Sequence, residues 1–423
     1  MKAIMRDEQE MKYSGVEYLG FIPNDWKVAS AKYFVKISNG SDPKSEGDIP
    51  VYGSGKKSFR TCGEYKEGPA VLLGRKGTID IPQYIDGRYW NVDTAFDVKN
   101  KSGYSLRYYY YLSTCFDYKR YSTQTALPSM TQSNYTDMRI TLPIYFEQQH
   151  ISNYLDDRCS KIDAIIAEAK ASIEEYKELK QAVIYEAVTK GLDKNVEMKD
   201  SGVEWVEKIP NNWHIVKITR ILDKEHPYAI GDGDHGSIKT EQYRDSGIPF
   251  IRVQNLGWGT ALNMDNVVYI SEEDNKQIQN STLRPNDILF AKTGATIGKT
   301  AIMPEEIPIA NTTSHVGKIS ISKEHNSRYI FYVLSSQIGY RQFWDIAIQK
   351  TTRPELSIEE TKSIKVVLPA DKTIEDSIVN YLDEKIPVFD DMINTKASLI
   401  EDLEAYKKSL IYEVVTGKRK VVA

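Results

Sequence analysis

The sequence lacks the features that mark secreted, disulfide-bonded or membrane-spanning proteins. Its three cysteines, Cys62, Cys115 and Cys159, are too few and too far apart for a disulfide framework or a CxxC metal pair. No run of about 18 apolar residues is present, so no membrane span is predicted. The N-terminal stretch MKAIMRDEQEMKYSG lacks the apolar core of a signal peptide. We therefore expect a cytoplasmic protein, and its 423 residues allow roughly two to four domains.

Motifs that carry catalysis are also missing. The six histidines are scattered, and neither HExxH nor another paired-histidine spacing occurs, which argues against a metal site. GATIGKT at 294–300 has three residues between its glycines, whereas a phosphate-binding loop needs four. The sequence contains neither the N-P-P-[YF] tetrapeptide of adenine methyltransferases nor a helicase-type nucleotide site. It therefore predicts no catalytic site, no metal site and no bound cofactor.

What the sequence does contain is a long heptad pattern that occurs twice. Between residues 147 and 191, two rows recur every seven positions: Leu155, Ile162, Ala169, Tyr176 and Val183, then Cys159, Ile166, Ile173, Lys180 and Ala187. Both rows return 227 residues later, as Leu382, Phe389, Lys396, Leu403 and Leu410, then Ile386, Ile393, Ile400, Lys407 and Val414. Lys180 and Lys407 interrupt the same row at the same step. Two such rows form the seam of a coiled coil, so we predict two long helices packed on each other.

A second repeat frames two globular segments. SGVEYLGFIPNDW at 14–26 matches SGVEWVEKIPNNW at 201–213, so the order arm, globular segment, long helix occurs twice. The globular segments contain short β-type runs, with one helix predicted in each, near 104–118 and 327–344. We therefore predict an α+β protein in which two mixed α/β domains are held apart by two long antiparallel helices, with a pseudo-twofold internal repeat. The predicted segments are 1–145 (N-terminal arm and first domain), 146–193 (first helix), 194–372 (linker arm and second domain) and 373–423 (second helix).

The charge distribution indicates where a nucleic acid could bind. Net charge is −4, yet residues 27–145 carry 17 basic and 11 acidic residues, so any nucleic-acid contact should lie on the globular segments rather than on the acidic helices. Arg, Gln and Asn side chains recognise base edges, and Lys and Thr more often bind phosphates. A solvated loop charge is the alternative for each candidate. The candidate DNA-binding residues are Lys56, Lys57, Arg60, Arg75, Lys76, Lys119, Arg120, Tyr121, Gln124, Arg252, Gln254, Asn255, Lys292, Thr293, Lys299, Lys350 and Arg353.

Two short matches relate these candidates between the halves. LLGRKG at 72–77 parallels LFAKTG at 289–294, and ALPSMT at 126–131 parallels TRPELS at 352–357. The second globular segment is about 40 residues longer than the first, because the offset between matches grows from 187 to 227. A repeated frame with unequal inserts is expected when the frame does one task twice and the inserts do two different tasks.

These stretches together resemble the specificity subunit of type I restriction-modification systems. The resemblance rests on the two arms, on DGDHG, GIPFIRVQNL and KTGATIGK, and on LPIYFEQQHI before the first helix, and it covers nearly the whole chain. It implies two target-recognition domains that each recognise one half of a bipartite, asymmetric DNA site through major-groove and phosphate contacts. The coiled coil would fix the gap between the half-sites and dock two modification subunits, with restriction subunits joining through the complex. S-adenosylmethionine, ATP and magnesium would bind to those partners only.

The second half departs from the first at one place, where Thr373-Ile374-Glu375-Asp376 stands in place of Phe146-Glu147-Gln148. Whether both long helices begin with the same contacts is therefore open. Two other functions also remain open: a stand-alone, pseudo-dimeric DNA-binding regulator, and a DNA methyltransferase or nuclease with an unrecognised site. The missing catalytic motifs argue against the second of these.

Overall fold

The computed structural model describes residues 1–101, 103–123, 126–259, 261–348 and 354–422. The chain forms two compact units: unit 1 contains Met1–Ala171 and Lys396–Ala423, and unit 2 contains Ser172–Thr395. Each unit holds one globular domain and a part of both long helices. This division cuts across the four predicted segments because the two ends of each long helix pack on different globular domains.

The first half of the chain begins with an N-terminal arm, continues through domain 1, which runs from β4 to β13, and ends in a long helix. Its described elements are β1 (Lys2–Met5), β2 (Met11–Tyr13), β3 (Phe21–Pro23), β4 (Lys27–Ser30), β5 (Val35–Asn39), β6 (Ile49–Tyr52), β7 (Arg60–Cys62), β8 (Lys66–Glu67), β9 (Ala70–Gly74), β10 (Gln83–Ile85), β11 (Arg88–Asn91), β12 (Ala95–Asn100), α1 (Leu106–Ser113), α2 (Tyr118–Tyr121), α3 (Gln132–Asp137), β13 (Arg139–Leu142) and α4 (Tyr145–Lys190).

The second half repeats this order, with domain 2 running from β16 to β24. Its described elements are β14 (Met198–Val203), β15 (Val206–Pro210), β16 (His214–Lys217), β17 (Ile230–Asp232), β18 (Ile248–Ile251), β19 (Val268–Ile270), α5 (Glu272–Gln277), β20 (Ile288–Ala291), β21 (Thr300–Ile302), β22 (Asn311–Thr312), β23 (Val316–Ile319), α6 (Ser327–Ser335), α7 (Gln337–Ala347), α8 (Ile358–Thr361), β24 (Lys365–Leu368), α9 (Lys372–Val415) and β25 (Arg419–Val422).

The two domains share one topology. In domain 1 the main sheet has the strand order β10-β9-β12-β5, and in domain 2 it has the matching order β21-β20-β23-β17, with all neighbours antiparallel. A smaller sheet accompanies each, and each contains a parallel pair: β6 with β11, and β18 with β22. The two globular segments, which differ in length and charge, therefore share one fold.

The predicted coiled coil is confirmed. Helices α4 and α9 have 46 and 44 residues, and every position of the predicted seam is buried or half-buried. The second helix is shorter than predicted: it ends at Val415, where Gly417 follows with a φ of 76° that favours glycine. The chain then forms β25, which pairs antiparallel with β1. No helix in the described ranges is both long and apolar enough to cross a membrane.

The helix predicted in each domain is also present. Domain 1 has α1 within the predicted range, and domain 2 has α6 and α7 where one helix was predicted near 327–344. The break falls at Ser336, whose hydroxyl accepts the N–H of Ile338 and so begins a new helix. In domain 1, α1 packs on β9 and β10 of the main sheet, and in domain 2, α6 packs on β21.

Candidate nucleic-acid interface

Domain 1 carries two turns that are joined edge to edge, at residues 75–77 and 128–130. The first turn directly follows β9, and the two matched stretches of the sequence therefore meet in space. Two backbone hydrogen bonds join the turns: the N–H of Gly77 donates to the carbonyl of Pro128 at 3.0 Å, and that of Met130 donates to the carbonyl of Arg75 at 2.9 Å. Between them, Lys76 and Ser129 face each other as an antiparallel bridge. We call residues 75–77 and 128–130 the paired turns of domain 1.

Domain 2 builds the same feature from different side chains, at residues 292–294 and 354–356. The N–H of Gly294 donates to the carbonyl of Pro354 at 3.0 Å, and that of Leu356 donates to the carbonyl of Lys292 at 2.9 Å. Thr293 and Glu355 form the antiparallel bridge. Gly77 and Gly294 both have positive φ, 78° and 63°, so each turn needs glycine at the same step. We call residues 292–294 and 354–356 the paired turns of domain 2.

The two sets of paired turns present opposite chemistry. In domain 1, Arg75 is half-buried, with its guanidinium 6.0 Å from the centre of the Phe96 ring, and Lys76 is exposed. In domain 2, Lys292 occupies the position of Arg75, but it is buried and its ammonium forms an ion pair with Asp232. Lys292 therefore stabilises the turn and is not available to DNA.

The other candidates in domain 1 differ in how exposed they are and in whether they form ion pairs. Lys56 and Lys57 are exposed, and no described carboxylate pairs with either. Arg60 is exposed but pairs with Asp42 at 2.7 Å, and Arg120 pairs with Glu17 at 3.0 Å. Exposed ion pairs of this kind contribute about 0–1 kcal/mol, so both arginines can exchange a carboxylate for a phosphate. Lys119 is exposed and Tyr121 is half-buried.

In domain 2, the stretch FIRVQNL does not lie as an open row of DNA contacts. Asn255 is buried, and its amide donates to the carbonyl of Asn263 at 2.9 Å. Arg252 is half-buried and donates to the carbonyl of Asn266 at 2.9 Å. These two side chains hold the local loop together, whereas Gln254 is exposed and Lys299 is half-buried. Gln124, Lys350 and Arg353 lie outside the described residues.

One residue that the sequence analysis missed is Glu355. It is exposed at the bridged position of the paired turns of domain 2. The expectation that side chains in contact with DNA are basic or amide excluded it, although the TRPELS match covers its position. Asp232 was missed for the same reason, and its ion pair with Lys292 is a contact between residues far apart in sequence.

Each domain is fastened to the long helices by an equivalent set of contacts. In unit 1, Arg107 and the Tyr111 hydroxyl both donate to Asp156 of α4, at 2.7 and 2.6 Å. Burial, then the hydrogen bond to this carboxylate, raises the pKa of Tyr111, so the hydroxyl stays a donor. In unit 2, Arg328 and the Tyr332 hydroxyl donate to Asp383 of α9, at 2.7 and 2.5 Å.

A tyrosine in each domain contacts the end of a long helix that begins in the other half of the sequence. The Tyr108 hydroxyl donates to the carbonyl of Val415, near the end of α9, at 2.8 Å. The Tyr329 hydroxyl lies 3.2 Å from the carbonyl of Val188, near the end of α4. Each domain therefore packs on the start of one helix and on the end of the other.

The starts of the two long helices are held alike despite their different sequences. The Gln148 side chain accepts the N–H of Ser105 at 2.8 Å, and the Glu375 side chain accepts the N–H of Asn326 at 2.6 Å. Both acceptors are buried. Although the two sequences differ here, an amide in one helix and a carboxylate in the other accept the equivalent backbone N–H.

The interrupted seam is explained by a duplicated ion pair. In unit 2, Lys180 of α4 pairs with Asp390 of α9 at 2.6 Å, and in unit 1, Lys407 of α9 pairs with Asp163 of α4 at 2.6 Å. The two lysines are 227 positions apart, and so are the two aspartates. The sequence repeat thus extends to a matched pair of contacts across the seam.

Both helices also carry apolar side chains outside the seam. On α9, Met392, Leu399 and Tyr406 are spaced seven residues apart and exposed, and Val388 precedes this row by four residues. On α4, the equivalents of Met392 and Tyr406 are Ile165 and Leu179, which are also exposed. Exposed apolar residues with heptad spacing are typical of a surface that accepts a further helix.

Comparisons with known proteins agree with this arrangement. A family model described as "Type I restriction modification DNA specificity domain" matches residues 23–175 and 210–404. The chain is 24% identical to the type I restriction enzyme MjaVIII specificity subunit of Methanocaldococcus jannaschii, over 99% of this chain and 89% of that protein. It is 27% identical to the type I restriction enzyme EcoBI specificity subunit of Escherichia coli, over 86% and 80% of the two chains.

A solved structure shares the fold. A chain from a study of complex assembly and conformational transition in the type I R-M system superposes with a TM-score of 0.67 at 13% identity, over 94% of this chain and 99% of that one. At this identity the likeness concerns the fold alone. The arrangement of two similar domains on paired long helices therefore recurs in a solved protein.

Proposed function

We propose, from the premise that this chain belongs to the type I restriction-modification DNA specificity family, that it is the specificity subunit of such a complex. Domains 1 and 2 are its target-recognition domains, and each recognises one half of a bipartite, asymmetric DNA site. The observation that carries this proposal is the duplicated pair of turns, built by the same backbone hydrogen bonds in both domains but with different exposed side chains. The same backbone arrangement with different exposed side chains suits a protein that recognises two different half-sites.

Within each half-site, the exposed side chains divide into two roles. Arg75, beside the exposed Lys76, recognises a base edge in the major groove, since a guanidinium can donate two parallel hydrogen bonds to guanine. The exposed Lys56, Lys57 and Lys119 contact phosphates, which position the protein but carry no sequence information. The net charge of −4 limits phosphate contacts by this chain alone, so partner subunits supply much of the affinity.

The partners are two modification subunits, docked on the paired helices, and restriction subunits that join through the complex. The exposed heptad row of α9 and its counterparts on α4 support docking of helices from the modification subunits. S-adenosylmethionine, ATP and magnesium belong to the partners, and the chain itself acts without catalysis in the cytoplasm. The paired helices set the gap between the two half-sites.

The test is to sequence the methylated sites of a host that carries the complete complex, with wild-type chain or with Arg75→Ala. We expect Arg75→Ala to relax one position of one half-site, with a loss of about 1–3 kcal/mol of discrimination, and to leave the other half-site unchanged. Arg88→Ala is the matched control, because Arg88 is an exposed arginine of the same domain that pairs with Glu67 and is not a candidate for DNA contact. A stand-alone regulator would leave host DNA unmethylated, and robust methyl transfer by the purified chain alone would contradict the division of labour.

A further inference from the structure

Glu355 stands out because its carboxylate is exposed and no ion pair or hydrogen bond to it is found among the described residues. Its backbone is fixed, since the residue forms the antiparallel bridge with Thr293 and is flanked by the two hydrogen bonds that join the paired turns. Its Cβ is therefore directed from a rigid base, as is required of a side chain that must meet a defined partner.

The basic residue of the facing turn, Lys292, does not neutralise this carboxylate. Lys292, one step from the bridged Thr293, is buried and committed to Asp232. In domain 1 the position equivalent to Glu355 is Ser129, which lies beside the exposed Lys76. The same backbone thus presents an exposed basic side chain in one domain and an exposed carboxylate in the other.

At a turn that the proposed function places against DNA, a carboxylate is unfavourable for phosphate binding, so it requires a specific hydrogen-bond donor. A carboxylate only accepts hydrogen bonds. In the major groove, cytosine offers its N4 amino group, and adenine offers its N6 amino group beside the N7 acceptor. The lone pair of N7 would repel a carboxylate that approaches adenine, whereas no acceptor of cytosine lies on that edge.

We propose that Glu355 is a specificity-determining residue that accepts a hydrogen bond from the N4 amino group of a cytosine in the half-site recognised by domain 2. This inference rests on the proposed function. Thr293, whose hydroxyl lies 3.4 Å from Nδ1 of His315, is a positioning residue that supports the bridge. The domain 2 half-site therefore contains a cytosine at a fixed position, and the domain 1 half-site is recognised without a carboxylate at the equivalent step.

The experiment compares the methylated sites of complete complexes that carry wild-type chain, Glu355→Gln, Glu355→Ala or Glu273→Gln. Glu355→Gln should lose about five- to a hundredfold discrimination for cytosine at one position and accept adenine there, because an amide pairs with N6 and N7 of adenine. Glu355→Ala should relax the same position to several bases. Glu273 is an exposed glutamate of α5 in the same domain, and Glu273→Gln should leave the sites unchanged.

Two outcomes would overturn the inference. Identical methylated sites for both Glu355 variants and the wild type would remove Glu355 from recognition. A gain in affinity that is equal for all DNA sequences would show that the carboxylate only repels phosphates. Arg75→Ala separates this failure from failure of the proposed function, because it should still alter the other half-site even if Glu355 has no role.

Discussion

Units 1 and 2 differ most in the exposed side chains of the paired turns and least in the contacts between a domain and the long helices. Asp156 and Asp383, which accept from an arginine and a tyrosine each, are 227 positions apart, as the helix repeat requires. The paired turns keep their backbone hydrogen bonds but exchange Arg75 for a buried Lys292. The shared backbone contacts therefore fix the position of each turn, whereas the side chains on that turn differ between the units.

Next to the contacts that Gln148 and Glu375 share, the starts of the two long helices differ at one position. In unit 1, Glu147 accepts the indole N–H of Trp26 at 3.0 Å and pairs with Arg6 at 3.2 Å. Burial raises the pKa of Glu147, while the Trp26 hydrogen bond and Arg6 lower it. In unit 2 the equivalent residue is Ile374, which packs on the apolar core beside Trp213. The same tryptophan position is thus held by a polar contact in one unit and by apolar packing in the other.

A buried charge also changes sign between the two main sheets. Asp97 of β12 faces Leu72, and Lys318 of β23 faces the equivalent Leu289. Asp97 accepts from the Tyr89 hydroxyl at 2.8 Å and pairs with Lys66 at 3.1 Å. Burial lowers the pKa of Lys318 to about 8, against the opposing effect of Asp287. Either charge is tolerated because each has its own local partners.

The largest expected difference concerns the glycines that end the long helices. A Cβ on Gly417 would lie 2.5 Å from the Pro23 ring, and one on Gly191 would lie 3.1 Å from the Trp213 ring. Both glycines have φ of 76°, so Gly417→Ala should cost about 2–4 kcal/mol through backbone strain and overpacking, and Gly191→Ala about 1–2 kcal/mol. Calorimetric unfolding, with hydrogen exchange to assign the loss to a unit, measures both effects.

Matched controls for that prediction exist in both arms. Gly15 and Gly202 occupy equivalent positions with φ of 75° and 73°, and a Cβ on either would meet no atom within 4 Å. Gly15→Ala and Gly202→Ala therefore report backbone strain alone. Equal losses for Gly417→Ala and Gly15→Ala would contradict the role given to contact with Pro23.

Much of the frame was predictable from the sequence because it is local or repeated. Heptad spacing predicts the seam from Leu155 to Ala187, and both copies of the pattern have a lysine at the same step of the same row. The surface was less predictable, because Lys292 and Asn255 are buried by partners that lie elsewhere in the sequence. A basic residue on a turn predicts exposure only where no distant carboxylate reaches it, and no local pattern indicates Asp232.

The sequence predicted two mixed α/β domains in a pseudo-twofold repeat, and the matching strand orders of the two main sheets agree with this. The strand order itself was not predicted. Strand pairing depends on alternating burial on two faces, which short runs such as DIPVY and AVLLG specify only weakly. The paired turns show the same limit, because their hydrogen bonds join residues 51 to 64 positions apart, and only the two matched stretches indicated that they correspond.

Of the histidines in the described residues, only His226 of unit 2 is buried, so the two units should differ in their stability towards acid. His226 is 6% exposed, and burial, followed by the positive charges of Lys318 and Arg284, lowers its pKa to about 4. The unfolded chain takes up this proton near pH 6.5, while the folded chain resists it until about pH 4. Unit 2 should therefore lose up to about 3 kcal/mol as pH falls through this window, and the loss is absent above it.

His226→Asn isolates this effect from other titrating groups such as Asp287, whose pKa burial raises. The asparagine carbonyl can replace Nδ1, which accepts the N–H of Tyr228 at 3.2 Å. Hydrogen exchange at pH 7 and pH 5 should show a smaller loss for unit 2 in the variant, with unit 1 unchanged. His235→Asn, at an exposed site, is the control, and the same acid loss in both variants would contradict the assignment to His226.

The smallest expected effect is at the seam, where the two equivalent lysines differ in exposure. The Lys180 side chain is 7% exposed and the Lys407 side chain 28%, although each pairs with an aspartate at 2.6 Å. Burying an ammonium costs free energy that a partly hydrated partner repays only in part. Lys180→Met should therefore stabilise unit 2 by up to about 1 kcal/mol, because Asp390 stays hydrated, while Lys407→Met should change unit 1 by less than about 0.5 kcal/mol. Calorimetry of the two single variants measures both values. A clear loss for Lys180→Met would mean that the ion pair stabilises the seam beyond its desolvation cost, and the two lysines would then have been retained for stability rather than for fixing the antiparallel register.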